Sequence, residues 1–256
     1  ALRPVAQLRV GAQRGFDVTL WEASGRLGGN LWPAAQPDFK RDISDYIHYL
    51  AGLVKRLPIN LVLNKKATAE DVRNCGADYV VLATGAQMEK PPFDNGTGEK
   101  VLTVIQVLNG LEPRGERVLI MGGGVIGCET ALYLARRGKQ VTISTRRDKT
   151  ALAEDLYDHN NHDVLLMMIK AADITVLSET IPVRVENDGV VINKAGAETK
   201  IPVDSLVFSG RMIPENGLGK SLANMHNVFS VGDCVTPERI MEAVWAAFKT
   251  VREIEL

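Results

Sequence analysis

The chain has 256 residues, enough for one large domain or two modest ones. Its residues are 45% hydrophobic and 24% charged, with a formal charge of −1, which suits a globular protein and makes no electrostatic case for nucleic acid or an anionic membrane. There is no apolar run near the roughly 20 residues of a membrane span and no signal-peptide core around Arg3 and Arg9; Cys75, Cys128 and Cys234 lie far apart with no C-x-x-C, so neither a dithiol redox pair nor a zinc site is expected, and a reducing cytoplasm is the expected compartment.

In chain order, the first legible stretch is AQRGFDVTLWE, Ala12 to Glu22: the end of a helix, a turn at Gly15, a strand, then an acid. That is the second half of a nucleotide-binding βαβ unit, in which an acid at the position of Glu22 accepts hydrogen bonds from a ribose diol. The opening strand and glycine-rich turn of such a unit are not found ahead of the helix. Either the strand has been cut away or the turn has diverged and lost phosphate binding. The first is favoured, because a Rossmann helix without its strand leaves an apolar face and a sheet gap. The following GRLGGN offers Arg26 and the flexible pair Gly28 and Gly29, and it also reads as a plain surface turn.

ADYVVLATGA, Ala77 to Ala86, runs from an acid through a buried strand to a small-residue turn, as a fully covered parallel strand would. PPFDNGTGEK, Pro91 to Lys100, reads as a connector. Next comes RVLIMGGGVIGCETALYLARRG. Arg117 to Met121 is a buried strand, Gly122, Gly124 and Gly127 form G-x-G-x-x-G, and a helix follows to Arg137. Strand, glycines, helix and the next strand come in the order that dinucleotide binding requires. Gly122 permits the tight turn, Gly124 lets a pyrophosphate approach the backbone, and Gly127 lets the helix pack closely on the strand. The helix N-terminus then presents free N–H groups and partial positive charge to the phosphates.

ARRGKQVTIST, Ala135 to Thr145, repeats the earlier AQRGFDVTLWE. The alignment sets Glu22 opposite Thr145, Pro4 opposite Gly127 and Ala1 opposite Gly124. Pro4 suits a helix start but not a turn that hugs pyrophosphate. In the second copy the strand ends without an acid, and Arg146 and Arg147 follow. An acid would repel a 2′-phosphate and arginine can clamp it, so this site is expected to take NADPH rather than NADH; the competing reading is a solvated basic turn.

His159 and His162 could share a helix face, but no acid or cysteine completes a ligand set, so a solvated pair is expected and no metal. VRVENDGVVINKAG, Val183 to Gly196, reads as a hairpin turning at Asn187, Asp188 and Gly189. VDSLVFSGRMIPEN, Val203 to Asn216, echoes the LATGA stretch, NVFSVGDC is a further buried strand followed by Gly232 and Asp233, and Ile240 to Ile254 reads as a helix.

Together GRLGG, LATGA, GGGVIGCE, SGRMIPEN and SVGDC, in this order, resemble the two-dinucleotide-domain flavoproteins of the glutathione-reductase type. The wording RLGGNLWPAA after the first acid, and GDC before AVWAAF, resembles a narrower group, the NADH:flavin oxidoreductases of old-yellow-enzyme type. Within it the likeness is to the C-terminal half of 2,4-dienoyl-CoA reductase, 2-enoate reductase and trimethylamine dehydrogenase. The resemblance covers essentially the whole chain.

It implies an α/β fold of two Rossmann-like domains, the second inserted in the first: an FAD domain at 1–111 plus 206–256 and an NAD(P) domain at 112–205. By resemblance Glu22 holds the adenosine ribose of FAD, Arg26, Gly28 and Gly29 lie along it, and Thr84 and Gly85 sit at the domain crossover. Asp233 bonds the ribityl chain, with Gly232 allowing close approach, while Gly122, Gly124, Gly127 and Arg146 take NADPH. A competing reading makes Asp233 a helix N-cap. The implied activity is NAD(P)H-dependent flavin reduction with no acid–base residue of the protein's own, since the cofactors carry the chemistry. The implied partner is a covalently linked N-terminal barrel, absent here, holding FMN and a 4Fe-4S cluster and handling the final substrate. Two alternatives accompany this: a non-catalytic module binding ADP, as in trimethylamine dehydrogenase-like proteins, and a scaffold whose first site is empty.

Overall fold

The computed structural model describes residues 10–93, 100–156 and 161–254. Ala1, Pro4 and His159, which entered the expectations above, lie outside the described residues, as does most of the 91–100 connector. The chain divides into two compact units: 1–35, 40–87 and 212–256 form one, 36–39 and 88–211 the other.

The first unit opens with β1 (Val18–Trp21), paired in parallel with β2 (Ile59–Val62). Between them runs the helix Arg41–Arg56, whose apolar residues recur at helical spacing. Ile47, Leu50 and Val54 are buried against Leu20, Leu27 and Leu31. Further on, Thr68 caps the helix Ala69–Asn74 through a reciprocal box with Asp71. Lys65 and Thr68 bond the Asp71 carboxylate and hold its pKa down at about 2. β3 (Val80–Leu82) follows, and β4 (Ala86–Met88) carries the chain into the second unit.

That unit is built on one parallel sheet. β5 (Val101–Thr103), β6 (Arg117–Met121), β7 (Gln140–Ser144), β8 (Thr175–Leu177) and β12 (Ser205–Phe208) line up in the order β5-β12-β6-β7-β8. Side chains alternate across a strand, and the two faces receive different cores. Val118 and Ile120 of β6 and Val207 of β12 join the helices 104–108, 125–136 and 161–171. Leu119, Leu206 and Phe208 face the other way, onto the antiparallel meander of β9 (Thr180–Glu186), β10 (Gly189–Lys194) and β11 (Ala197–Ile201). The expected hairpin is present, and β11 extends it to three strands. β13 (Met212–Pro214) then returns the chain, paired with β4, and β14 (Val228–Ser230) pairs in parallel with β3.

The second compact unit takes in 88–211, where 112–205 was expected for the NAD(P) domain; β5 and β12 are neighbours in its sheet. One expectation is corrected: β3 and β14 are not fully covered, and Val80, Val81, Val228 and Phe229 are half-buried. Among the described residues, β1–β2 and β3–β14 are separate two-stranded sheets, so no described strand covers the free edge of either.

At the amino end of β6, the Asp204 carboxylate takes the backbone N–H groups of Glu116 and Arg117, at 3.0 and 2.9 Å, and the Arg117 guanidinium. The side-chain bond from Arg117, then its backbone N–H, hold the Asp204 carboxyl far below the ordinary carboxylate range. A lowered folded-state pKa contributes stability above the unfolded value and loses it as pH falls through the folded value. Asp204→Ala is therefore expected to cost about 1 kcal/mol at neutral pH, a modest figure because the pair is solvent-screened. Thermal melts check this: the gap between parent and variant should shrink progressively below about pH 4.

Candidate nucleotide sites

The strongest local geometry lies at the carboxyl end of β6. Gly122 has φ +125°, a region that side-chain-bearing residues rarely adopt, and its N–H donates to Ser144 O at 2.9 Å. A Cβ there would collide with the backbone oxygen of Ser209. Gly124 is the N-cap of the helix Val125–Arg136, at φ −72° and ψ 175°. Among the described residues a Cβ there would meet only the Asp155 Oδ2, at 3.5 Å, which leaves this face of the turn room for a ligand. Gly127 lies over the turn: its Cβ would fall inside the carbonyl oxygen of Gly122 and 3.1 Å from Ser209 Oγ. Ser209, whose N–H donates to Met121 O at 2.9 Å, is thus the second wall of the turn.

Beyond β7, Thr145 is buried, Arg146 is exposed with no ion pair among the described residues, and Arg147 pairs its guanidinium with Glu154. Cys128 is fully buried in the helix, its thiol 3.5 Å from Gly123 O, and burial pushes its pKa up to about 12. It is a packing residue and no nucleophile. All three cysteines are free, so the chain has no disulfide.

In the first unit, Glu22 directly follows β1 and is 8% exposed; its Oε1 accepts from the Ser24 N–H and hydroxyl, both at 2.8 Å. The Arg26 guanidinium lies over the Trp32 ring, 4.4 Å from its centroid, and Trp32 donates Nε1–H to Leu27 O at 2.8 Å. Gly28 backs onto the same indole. Gly28 and Gly29 both have positive φ and lead into Asn30, whose amide donates to Ala86 O at 2.8 Å. This bond draws the GRLGGN loop beside Thr84 and Gly85. Thr84 Oγ1 donates to Glu215 O at 2.5 Å, and no described residue beyond its chain neighbours lies within 4 Å of where a Cβ on Gly85, at φ +80°, would point.

At the end of β14, Val231 N–H donates to Leu82 O at 2.9 Å, seating Gly232 and the 8% exposed Asp233 at the carboxyl end of β3. The loop at Gly28, the turn at Gly85 and the turn at Gly232 are therefore gathered in one region, while Glu22 lies on the separate β1–β2 sheet.

Two details differ from expectation. Asp233 is inside a short turn, Gly232–Cys234, and is not the cap of the helix Ile240–Glu253, whose N-cap is Arg239. His162 is not solvated: its side chain is 12% exposed, and a ring nitrogen lies 2.9 Å from Leu152 O. No group of three or more metal-ligating side chains occurs among the described residues, and none of their helices is long and apolar enough to cross a membrane.

Residues 12–249 match the model of the family described as pyridine nucleotide-disulphide oxidoreductase. The chain belongs to that family. A cinnamate reductase of Clostridium sporogenes is 35% identical over 247 residues, covering 96% of this chain and 37% of the relative. A structure of 2-naphthoyl-CoA reductase superposes with TM-score 0.88 at 27% identity, covering 99% of this chain and 38% of that one. The thioredoxin reductase of T. acidophilum, at TM-score 0.76 and 18% identity, shares the fold and is covered to 93%. The chain thus spans about two fifths of the larger reductases it matches, in keeping with the resemblance read from GRLGG through SVGDC to one half of such enzymes. It is a dinucleotide-binding redox module of that type, in two Rossmann-like units.

Proposed function

We propose that this chain is the FAD- and NAD(P)H-binding module of a flavin reductase. NADPH would be held on the second unit and FAD on the first, with electrons passing onward to a barrel domain that meets an enoyl-type substrate. The observation that carries the reading is the β6 turn: a helix N-terminus with two glycines locked by close packing and one, Gly124, left open.

The residues present fit a nicotinamide dinucleotide on the second unit and the adenosine and flavin ends of FAD on the first, whose pyrophosphate position falls outside the described residues. Gly124 and the helix N–H groups would face the pyrophosphate of NADPH, and Arg146 its 2′-phosphate. On the first unit Glu22 would take the ribose diol, Arg26, Gly28 and Gly29 would flank FAD, and Thr84, Gly85, Gly232 and Asp233 would line its flavin end. Bound together, a nicotinamide and a flavin supply hydride transfer; the chain's own part is to bind, orient and exclude water.

If Arg146 reads the 2′-phosphate, Arg146→Ala should weaken NADPH binding by about 1–3 kcal/mol and leave NADH unchanged. Titration calorimetry with both nucleotides checks this, and equal effects on the two would sink the assignment. The wider reading is tested by the visible spectrum of the purified chain. A flavin spectrum, with FAD released on denaturation and bleaching by NADPH without oxygen, is expected. Released ADP would indicate a non-catalytic module instead.

A further inference from the structure

The segment Leu152–Leu156 runs beside the β6 turn and is fastened to it. Leu152 and Ala153 are 5% and 0% exposed. Ala153 adopts φ +51° and donates its N–H to Gly123 O at 2.8 Å. The Leu152 carbonyl meets the His162 ring, and a Cβ on Gly123 would fall 2.8 Å from Leu152 Cδ2. The next two residues are acids on the exposed side. Asp155 Oδ2 lies 3.5 Å from the Val125 backbone nitrogen, the first N–H of the helix, and the same distance from where a Cβ on Gly124 would stand. Glu154 pairs with Arg147. Two carboxylates therefore occupy two anion positions of the site: the helix N-terminus and the basic turn after β7.

We infer that Asp155 and Glu154 set the affinity and the 2′-phosphate preference of this nucleotide site. Asp155 places a fixed negative charge at the N-terminus that a pyrophosphate needs, so it weakens every dinucleotide alike. Glu154 engages one of the two arginines that a 2′-phosphate would attract, so it weakens NADPH selectively and narrows the gap to NADH. The inference rests on the nucleotide reading of the site.

The test measures dissociation constants of NADH and NADPH, by nicotinamide fluorescence, for the full chain, Asp155→Asn and Glu154→Gln. Both substitutions keep side-chain shape at exposed positions. Asp155→Asn should tighten both nucleotides by about three- to tenfold with their ratio unchanged. Glu154→Gln should tighten NADPH by about threefold and leave NADH where it was. Unchanged or weaker binding by Asp155→Asn overturns the role of Asp155, and an unchanged NADPH-to-NADH ratio in Glu154→Gln overturns that of Glu154. If none of the three proteins binds either nucleotide, the reading of the site fails and the inference with it. Binding by the parent with no response in the variants defeats the inference alone.

Discussion

Gly127→Ala lowers stability by about 2–3 kcal/mol and removes nucleotide binding with it. The added methyl group would lie inside the carbonyl oxygen of Gly122, with Ser209 Oγ only 3.1 Å away. Neither wall yields cheaply. Gly122 is held by its N–H bond to Ser144 O, and Ser209 by its own to Met121 O, both 2.9 Å and both at the ends of central strands. The helix must therefore lift from the sheet, straining a core that includes the fully buried Cys128 and Ala131. Overpacking of this kind costs about 1–3 kcal/mol, and a backbone oxygen as the obstacle argues for the upper end. Thermal unfolding is the readout, with a fall of roughly 2–4 °C for each kcal/mol in a chain of this size. A midpoint within a degree of the parent would show that the helix does not pack as described.

Gly124→Ala is expected to behave in the opposite way. The backbone there, φ −72° and ψ 175°, is open to alanine, and among the described residues the one atom near the new methyl group is Asp155 Oδ2 at 3.5 Å. Stability should stay within about 0.5 kcal/mol of the parent, since Gly and Ala differ little where no contact is lost. On the proposed reading nucleotide binding should fall by about ten- to a hundredfold, because the methyl group would stand where a pyrophosphate approaches the backbone. Calorimetric titration beside a thermal melt separates the two quantities. Loss of stability without loss of binding would mean that the open face of the turn is not the ligand's.

The contrast between these glycines was legible in the sequence, because each step of G-x-G-x-x-G has a distinct steric task and the flanking strand and helix set its direction. β6 and β1 were legible for a similar reason: RVLIM and VTLW are apolar runs bounded by turns. The wall opposite the glycines was not. Ser209 directly follows β12, 88 positions beyond Met121 in sequence, and the sheet order β12-β6 brings it there.

The Leu152–Leu156 crossing was also silent, because Ala153 takes a left-handed conformation with no glycine or asparagine to announce it. The half-buried state of β3 and β14 escaped for a third reason. VVL and VFS have the composition of covered strands, but cover depends on neighbours that composition does not reveal. That β5 belongs to the second unit's sheet was not legible either, because it joins that sheet through β12, about a hundred residues later.

Titrating NADPH into the parent chain and into Gly124→Ala, side by side, decides whether the β6 turn holds a nicotinamide dinucleotide through the open face of Gly124. Saturable binding by the parent is expected, with a loss of at least tenfold in a variant that melts like the parent. Equal binding by the two, or none by a folded parent, would contradict it.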